Sequence, residues 1–132
     1  MSTTTASITI ASSDMIPGMA MNYYKTATLF KAGGCVGLEK IQSGTKEYTS
    51  TSTVELLDES VVTTDKANKL YIKNLSTDTT EYITIYVQSE ELGRLYSGDW
   101  MFIPWSAGSS NNIQVAPSVA SSMKLDYVLL HE

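Results

Sequence analysis

The chain has 132 residues, of which 42% are hydrophobic and 17% are charged, and its formal net charge is −5. Because Arg94 is its single arginine, it has no basic stripe to neutralise a run of phosphates, and we expect no nucleic-acid partner. No apolar run approaches the ~20 residues that span a bilayer, so we expect no membrane partner either. The length suits one domain around one hydrophobic core.

The first half of the chain predicts strands joined by short turns. Alternation begins at residues 7–10, and residues 22–30 form a second strand that ends before the Gly33-Gly34 turn. Residues 36–41 are predicted to pair with residues 47–54 across a turn at Ser43-Gly44. A single helical turn is expected over residues 55–60. Serine and threonine fill about a quarter of the chain, which also favours strands over helices.

The second half alternates more clearly. Residues 69–73 place Leu70 and Ile72 on one face. Residues 82–88 repeat this pattern, with Ile83, Ile85 and Val87 inward and Tyr82, Thr84 and Tyr86 outward, so the two strands are predicted to form an antiparallel hairpin. Residues 100–105 are apolar on both faces. Residues 123–130 close the chain, with Met123, Leu125, Tyr127 and Leu129 on one face. We expect these last two strands at the centre of a sheet.

The spacing of these strands predicts the fold class. Strands recur every 8–12 residues with Gly, Asn, Ser and Asp between them, which is typical of sandwiches and barrels of eight to ten strands. We therefore predict an all-β fold, a single-domain antiparallel β-sandwich of jelly-roll type over residues 1–132. Residues 1–6 are predicted to form a polar N-terminal arm.

No motif for covalent or acid-base chemistry is present, and we expect no enzyme. The only histidine, His131, stands next to the end of the sequence and is expected at the surface, whereas Cys35 is expected to be a small buried hydrophobe. Adjacent carboxylates at 58–59 and 90–91 are typical of solvated loops. One His and one Cys do not make a zinc site, and no calcium-loop spacing occurs, so we predict no metal and no cofactor.

Aromatic residues and one arginine are the candidates for a binding surface. Gly93 and Gly98 bracket a predicted turn in which Arg94 pairs with Asp99 or Glu91. Arg, Tyr and Trp are enriched at the energetic centres of protein interfaces. We predict a partner interface from the residues expected on an exposed loop edge or on outward strand faces: Tyr71, Tyr82, Tyr86, Arg94, Tyr96 and Trp105.

The sequence from about residue 67 to 132 resembles small virion proteins of tailed bacteriophages. The resemblance lies in Leu70-Tyr71-Ile72-Lys73-Asn74, Leu92-Gly93-Arg94-Leu95, Gly98-Asp99, Phe102-Ile103-Pro104-Trp105 and a closing strand near Tyr127. It implies a non-enzymatic structural protein of the phage particle, and it brings no functional residue set.

Within that class we expect a capsid decoration, or cement, protein. It would assemble in the host cytoplasm as a homo-oligomer, a trimer, that binds the major capsid protein or another virion protein. A neck, baseplate or tail-fibre attachment protein is the alternative within the class. A carbohydrate-binding β-sandwich is the alternative outside it, although Trp100 and Trp105, five residues apart, are expected on opposite faces of a strand.

Overall fold

The computed structural model describes residues 3–108 and 110–132, and within them the chain forms ten β-strands and one 3-10 helix, Glu59–Val61. By contacts the chain divides into two compact units, Met1–Glu39 and Lys40–Glu132. The strands, in chain order, are β1 (Thr5–Ile16), β2 (Met19–Thr28), β3 (Lys40–Tyr48), β4 (Val54–Leu57), β5 (Lys69–Asn74), β6 (Tyr82–Val87), β7 (Glu90–Tyr96), β8 (Trp100–Pro104), β9 (Ile113–Pro117) and β10 (Met123–His131).

The first unit contains an antiparallel hairpin of β1 and β2. Their register pairs Thr5 with Thr28 and Ser12 with Met21, and it shifts between Ser12 and Ile16. Gly18 in the connecting turn has a φ of +79°, a conformation that glycine adopts without steric cost. After β2, the predicted glycine turn is closed by a backbone bridge between Phe30 and Gly37.

The second unit is a sandwich of two four-stranded antiparallel sheets. The first sheet has the order β3-β10-β5-β8 and the second sheet the order β4-β9-β6-β7. Successive strands alternate between the two sheets except at the β6–β7 hairpin. This order of eight strands is that of a jelly roll, so the predicted fold class is confirmed for this unit.

The core of the sandwich lies between the two sheets. Alternate residues of β5, β9 and β10 are buried, because successive side chains of a strand point to opposite faces. Its fully buried large side chains are Leu70, Ile72, Ile83, Ile85, Ile113, Val115, Met123, Leu125 and Leu129. The inward positions predicted for β5 and β10 are therefore confirmed, as they are for Ile83 and Ile85 of β6. Thr84, predicted to face outward, is also buried.

Three predictions of strand pairing and position are wrong. Residues 40–48 form one continuous strand on β10 rather than two strands joined by a turn at Gly44. Gly44 instead accommodates the ring of Tyr127, because a Cβ there would lie 3.3 Å from Tyr127 Cε1. Strands β5 and β6 lie in different sheets and do not form a hairpin. Strand β8 lies at a sheet edge, a position that tolerates Pro104 because its missing N–H is not needed for a hydrogen bond to a neighbouring strand. Strand β10 is central, as predicted.

The first 39 residues differ from the prediction of one sandwich over residues 1–132, because they form a unit of their own. In the predicted arm, Thr5 and Ala6 belong to β1, and Met1 and Ser2 lie outside the described residues. Cys35 is exposed, so its predicted burial is wrong. The helical turn predicted over residues 55–60 is wrong for most of its length, because Val54–Leu57 is strand β4. Its end overlaps the 3-10 helix Glu59–Val61, which is capped by Asp58, whose side chain accepts a hydrogen bond from Ser60 N–H.

Candidate interaction surfaces

The ionisable side chains of the described residues are scattered. No three of His, Cys, Asp and Glu in this part of the chain lie close enough to hold a metal ion. His131 is half-buried, and its Nδ1 atom has no hydrogen-bond partner among the described residues. Glu132 accepts a hydrogen bond from Ala67 N–H at 3.2 Å and lies 3.7 Å from Lys66 Nζ. These contacts fix the end of β10 to the segment before β5.

An open polar pocket lies at one end of the sandwich. It is lined by Leu75, Ser76, Thr77, Asp78, Glu81, Ser122 and Lys124. Its carboxylates are already bonded within the chain. Asp78 Oδ1 accepts from Thr80 N–H at 2.9 Å, which lowers the pKa of that carboxyl, and Glu81 accepts from the hydroxyl of Ser76. Internal bonding of this kind stabilises the β5–β6 loop.

Arg94 lies beside two neighbouring tyrosines on the outer face of the second sheet. Its guanidinium carbon is 4.7 Å from the ring centroid of Tyr82, and the rings of Tyr82 and Tyr96 are 5.2 Å apart. Arg94 Nε is 3.5 Å from Glu91 Oε1. A hydrogen bond with Tyr96 and the proximity of Tyr82 raise the pKa of Arg94. We call Tyr82, Glu91, Arg94 and Tyr96 the tyrosine–arginine cluster.

This cluster brings together three of the predicted interface residues, but on strands rather than on a loop edge. Arg94 and Tyr96 belong to β7, which pairs with β6 from Tyr82 to Val87. Of the two predicted partners of Arg94, Glu91 is the one observed. Asp99 instead accepts a hydrogen bond from Tyr96 N–H at 2.9 Å. Tyr86 is half-buried and lies on the same outward side of β6 as Tyr82, four residues further along the strand.

The outer face of the first sheet carries a second group of exposed apolar side chains. Tyr71 of β5 pairs in register with Phe102 of β8, and its ring centroid lies 6.1 Å from that of Trp100. Val128 of β10 is the neighbour of Tyr71 on the other side. We call this surface the aromatic face. Its outward residues, strand by strand, are Ile41, Ser43 and Thr45, then Leu130, Val128 and Asp126, then Lys69, Tyr71 and Lys73, and then Pro104, Phe102 and Trp100.

Trp105 is not part of any surface, so its predicted exposure is wrong. It is only 3% exposed, it belongs to the hydrophobic core, and its indole N–H donates to Asn111 O at 2.7 Å. Its backbone N–H donates to Asn68 O at 3.0 Å. The side chain continues the alternation of β8, in which Met101 and Ile103 also face the core. The expectation that Trp100 and Trp105 face opposite ways is met, since Trp100 is 47% exposed.

The sequence prediction missed the largest contributors to the aromatic face. The sequence predicts that Trp100 and Phe102 lie at a sheet centre, because residues 100–105 are apolar throughout. Their alternation with Met101 and Ile103, which pack against the core, was the available signal. Nothing local distinguishes which of two apolar faces is covered, because that depends on the distant strands β5 and β10.

The β1–β2 hairpin carries a third surface, which the sequence prediction also missed. The side chains of cross-strand partners lie on the same face of a hairpin. One face of this hairpin carries polar side chains. On it the hydroxyls of Ser7 and Thr26 are 2.9 Å apart, and Thr26 donates to Tyr24 Oη at 3.0 Å. The other face is mostly apolar and exposed. It consists of Ala6, Ile8, Ile10, Ser12, Met21, Tyr23, Lys25 and Ala27, and we call it the apolar hairpin face.

No family model matches the chain, and no curated protein matches it. Among solved structures, it is similar to the Yersinia pseudotuberculosis-derived mitogen at 13% identity, with a TM-score of 0.44 over 70% of this chain and 86% of that one. It is also similar to the cupin domain of Schizosaccharomyces pombe Cnp3 at 12% identity, with a TM-score of 0.45 over 96% of this chain and 84% of that one. At these scores neither likeness bears on function, and the jelly roll is assigned from the strand order.

Proposed function

We propose that this protein is a non-enzymatic structural component of a tailed-bacteriophage particle and acts by docking on other virion proteins. The observation that carries this proposal is the apolar hairpin face, where Ile10 is 47% and Tyr23 is 49% exposed. A two-stranded hairpin is at best marginally stable in water and gains stability when its apolar face is covered. The resemblance of residues 67–132 to phage virion proteins supplies the type of particle.

The specific role we propose is that of a capsid decoration protein. In this role several copies engage the major capsid protein of the head lattice at once, and each small contact adds to a high effective affinity. The apolar hairpin face supplies one contact, and the tyrosine–arginine cluster supplies another. Arg94 is suited to this because stacking on Tyr82 and pairing with Glu91 hold its guanidinium in place before a partner binds.

Binding to empty, expanded heads of the encoding phage tests this role. Two matched pairs of cross-strand neighbours, Ile10 with Tyr23 and Thr9 with Tyr24, lie on the two faces of the hairpin. We expect the variant Ile10→Ser, Tyr23→Ser to lose roughly tenfold or more in affinity, and the variant Thr9→Ser, Tyr24→Ser to bind like the parent. Cosedimentation with heads measures both.

Fractionation of purified virions gives the outcomes that would contradict the proposed roles. If the protein is found only with tails, the decoration role is wrong, and a neck, baseplate or tail-fibre attachment role replaces it. If it is absent from virions, the structural role itself is wrong. Equal binding of the two hairpin variants would exclude the apolar hairpin face as the contact.

Carbohydrate binding is a second candidate function, and the aromatic face favours it. Trp100 and Phe102 are exposed and Tyr71 lies beside them, and apolar sugar faces stack on such rings. A glycan array with Trp100→Ala, and with Tyr82→Ala of the opposite sheet as control, tests this function. Binding that the first substitution abolishes and the second preserves would favour the sugar, and an array with no signal would contradict it.

A further inference from the structure

The aromatic face combines apolar area with two opposite charges in a regular grid, and we propose that it is the surface on which two copies of this chain associate. In this arrangement the two faces pack against each other about a two-fold axis that runs parallel to the strands. The inference rests on the proposed structural role and adds to it the identity of one partner, a second copy in a dimer, in place of the trimer expected from the sequence.

The apolar part of the face is continuous and in contact with water. Ile41 is 66%, Trp100 is 47% and Phe102 is 38% exposed, and Val128 and Leu130 between them are half-buried. Removing apolar surface from water contributes about 25 cal/mol per Å². A contiguous apolar patch of this kind on the outside of a sheet is typical of an interaction site.

The charged side chains of the aromatic face differ in whether they already have a partner within the chain. The amine of Lys69 donates to Ala67 O at 3.2 Å and to Asn68 O at 3.5 Å, so only its aliphatic stem covers the sheet. No carboxylate of the described residues lies within 4.0 Å of the amine of Lys73. Asp126 stands directly opposite Lys73 in the ladder, and its carboxylate accepts a hydrogen bond from Thr45 Oγ1. Lys73 is therefore a cation that an added carboxylate can satisfy.

The strand order makes this charge pair self-complementary. In the order β3-β10-β5-β8 the midline of the sheet lies between β10 and β5. A two-fold axis that lies above this midline and runs parallel to the strands places β5 of one copy on β10 of the other. The operation does not shift residues along the strands. Because Lys73 and Asp126 are cross-strand neighbours, Lys73 then faces the partner's Asp126. The same operation places Tyr71 on the partner's Val128, and each contact occurs twice.

The size of the face fits a dimer that dissociates in the micromolar range. Four strands about 4.8 Å apart and six residues at about 3.4 Å each give a flat area of roughly 400 Å² per copy. The two copies together give roughly 800 Å² of flat area, which lies below the roughly 1,200 Å² of stable specific interfaces and in the range of weak, transient ones. The pairing of Lys73 with Asp126 favours a second copy over an unrelated protein, because this one face carries both members of each interface charge pair.

Sedimentation velocity between about 1 and 200 μM tests the proposal. We expect the full chain to change from monomer to dimer over this range. Lys73→Asp alone and Asp126→Lys alone each place like charges opposite one another and should weaken association roughly tenfold or more. The double variant Lys73→Asp, Asp126→Lys restores opposite charges and should restore the dimer. Lys46→Glu, an exposed site on the other side of the same sheet, is the control.

The single variants also place like charges side by side within one sheet, so thermal unfolding of each monomer is measured alongside. If a single variant fails to fold, Phe102→Ser on the edge strand replaces it and should weaken association while the monomer stays folded. A monomer at all concentrations, a trimer, or a double variant that stays monomeric would overturn the proposal. A monomeric protein that still binds heads would overturn this pairing and leave the proposed function intact.

Discussion

Asn74 shows how one buried polar side chain connects the two sheets of the sandwich. It is fully buried at the end of β5, its Nδ2 donates to Leu95 O of β7 at 2.9 Å, and its Oδ1 accepts from Ser76 N–H at 2.9 Å. An unpaired buried amide or carbonyl costs more than a made hydrogen bond contributes. Asn74 therefore fixes how β5 ends and where β7 lies above it.

Asn74→Ala tests this connection. The substitution removes both hydrogen bonds and leaves a small cavity, and we expect it to lower the free energy of unfolding by about 2–3 kcal/mol. Chemical denaturation followed by tryptophan fluorescence measures the change. Asn22→Ala in the exposed part of β2 is the matched control and should change the stability by less than about 0.5 kcal/mol. A loss at Asn74 no larger than at Asn22 would contradict this role.

At the same scale, the sequence predicts well which residues of a strand share a face, but not which face of a wholly apolar strand is covered. Alternation placed Leu70, Ile72 and Ile85 correctly, since each lies within a regular strand. Trp105 continues the alternation of β8, in which Met101 and Ile103 also face the core. Alternation therefore predicts that Trp100 and Trp105 face opposite ways, but which of the two is buried depends on the face of β8 that the second sheet covers.

Among the elements, the β7–β8 connection shows the most specific local chemistry. Asp99 N–H donates to Tyr96 O at 2.9 Å, and Gly98 between them has a φ of +77°. These are the features of a β-turn that needs a left-handed residue at its third position. The turn is also bound to the end of β5, because Asn74 N–H donates to Asp99 O at 2.9 Å.

Substitution of Gly93 and Gly98 distinguishes the effect of backbone strain from that of a steric clash with the new side chain. A Cβ at either Gly93 or Gly98 meets no atom within 4 Å, but only Gly98 has a positive φ. We expect Gly98→Ala to reduce the stability by about 1 kcal/mol or slightly more, and Gly93→Ala to leave it unchanged or raise it slightly. Melting temperatures of the two variants check this. Equal effects would show that the positive φ is not what requires glycine here.

Element types followed from the sequence more readily than element partners did. Alternation predicts the strands β5 and β6 correctly, but it predicts that they pair with each other, because a hairpin is the simplest connection. In a jelly roll most consecutive strands cross to the other sheet, so neighbours in sequence are seldom neighbours in the ladder. The candidate surfaces show the same effect: the sequence predicts one interface that contains Tyr71 and Tyr82, but these residues lie on different sheets.

At the scale of the whole molecule, the distribution of buried side chains differs between the two units. Every residue of the main hydrophobic cluster lies in Lys40–Glu132, from Leu56 to Leu129. In Met1–Glu39 the described side chains of β2 are exposed throughout, and Leu29 and Leu38 are the buried large apolar residues among those described. The sandwich thus has a core of its own, whereas the hairpin has little apolar burial.

This difference predicts how each unit behaves alone. A fragment of residues 40–132 should unfold cooperatively with a midpoint within about 5 °C of the full chain, because it keeps the whole cluster and the eight-stranded order. Its near-ultraviolet circular dichroism should retain the signal of the buried Trp105. A fragment of residues 1–39 should be largely unfolded, since a two-stranded sheet without a covered face is marginal. A fragment 40–132 that lacks the near-ultraviolet signal would show that the first 39 residues are part of what folds the sandwich.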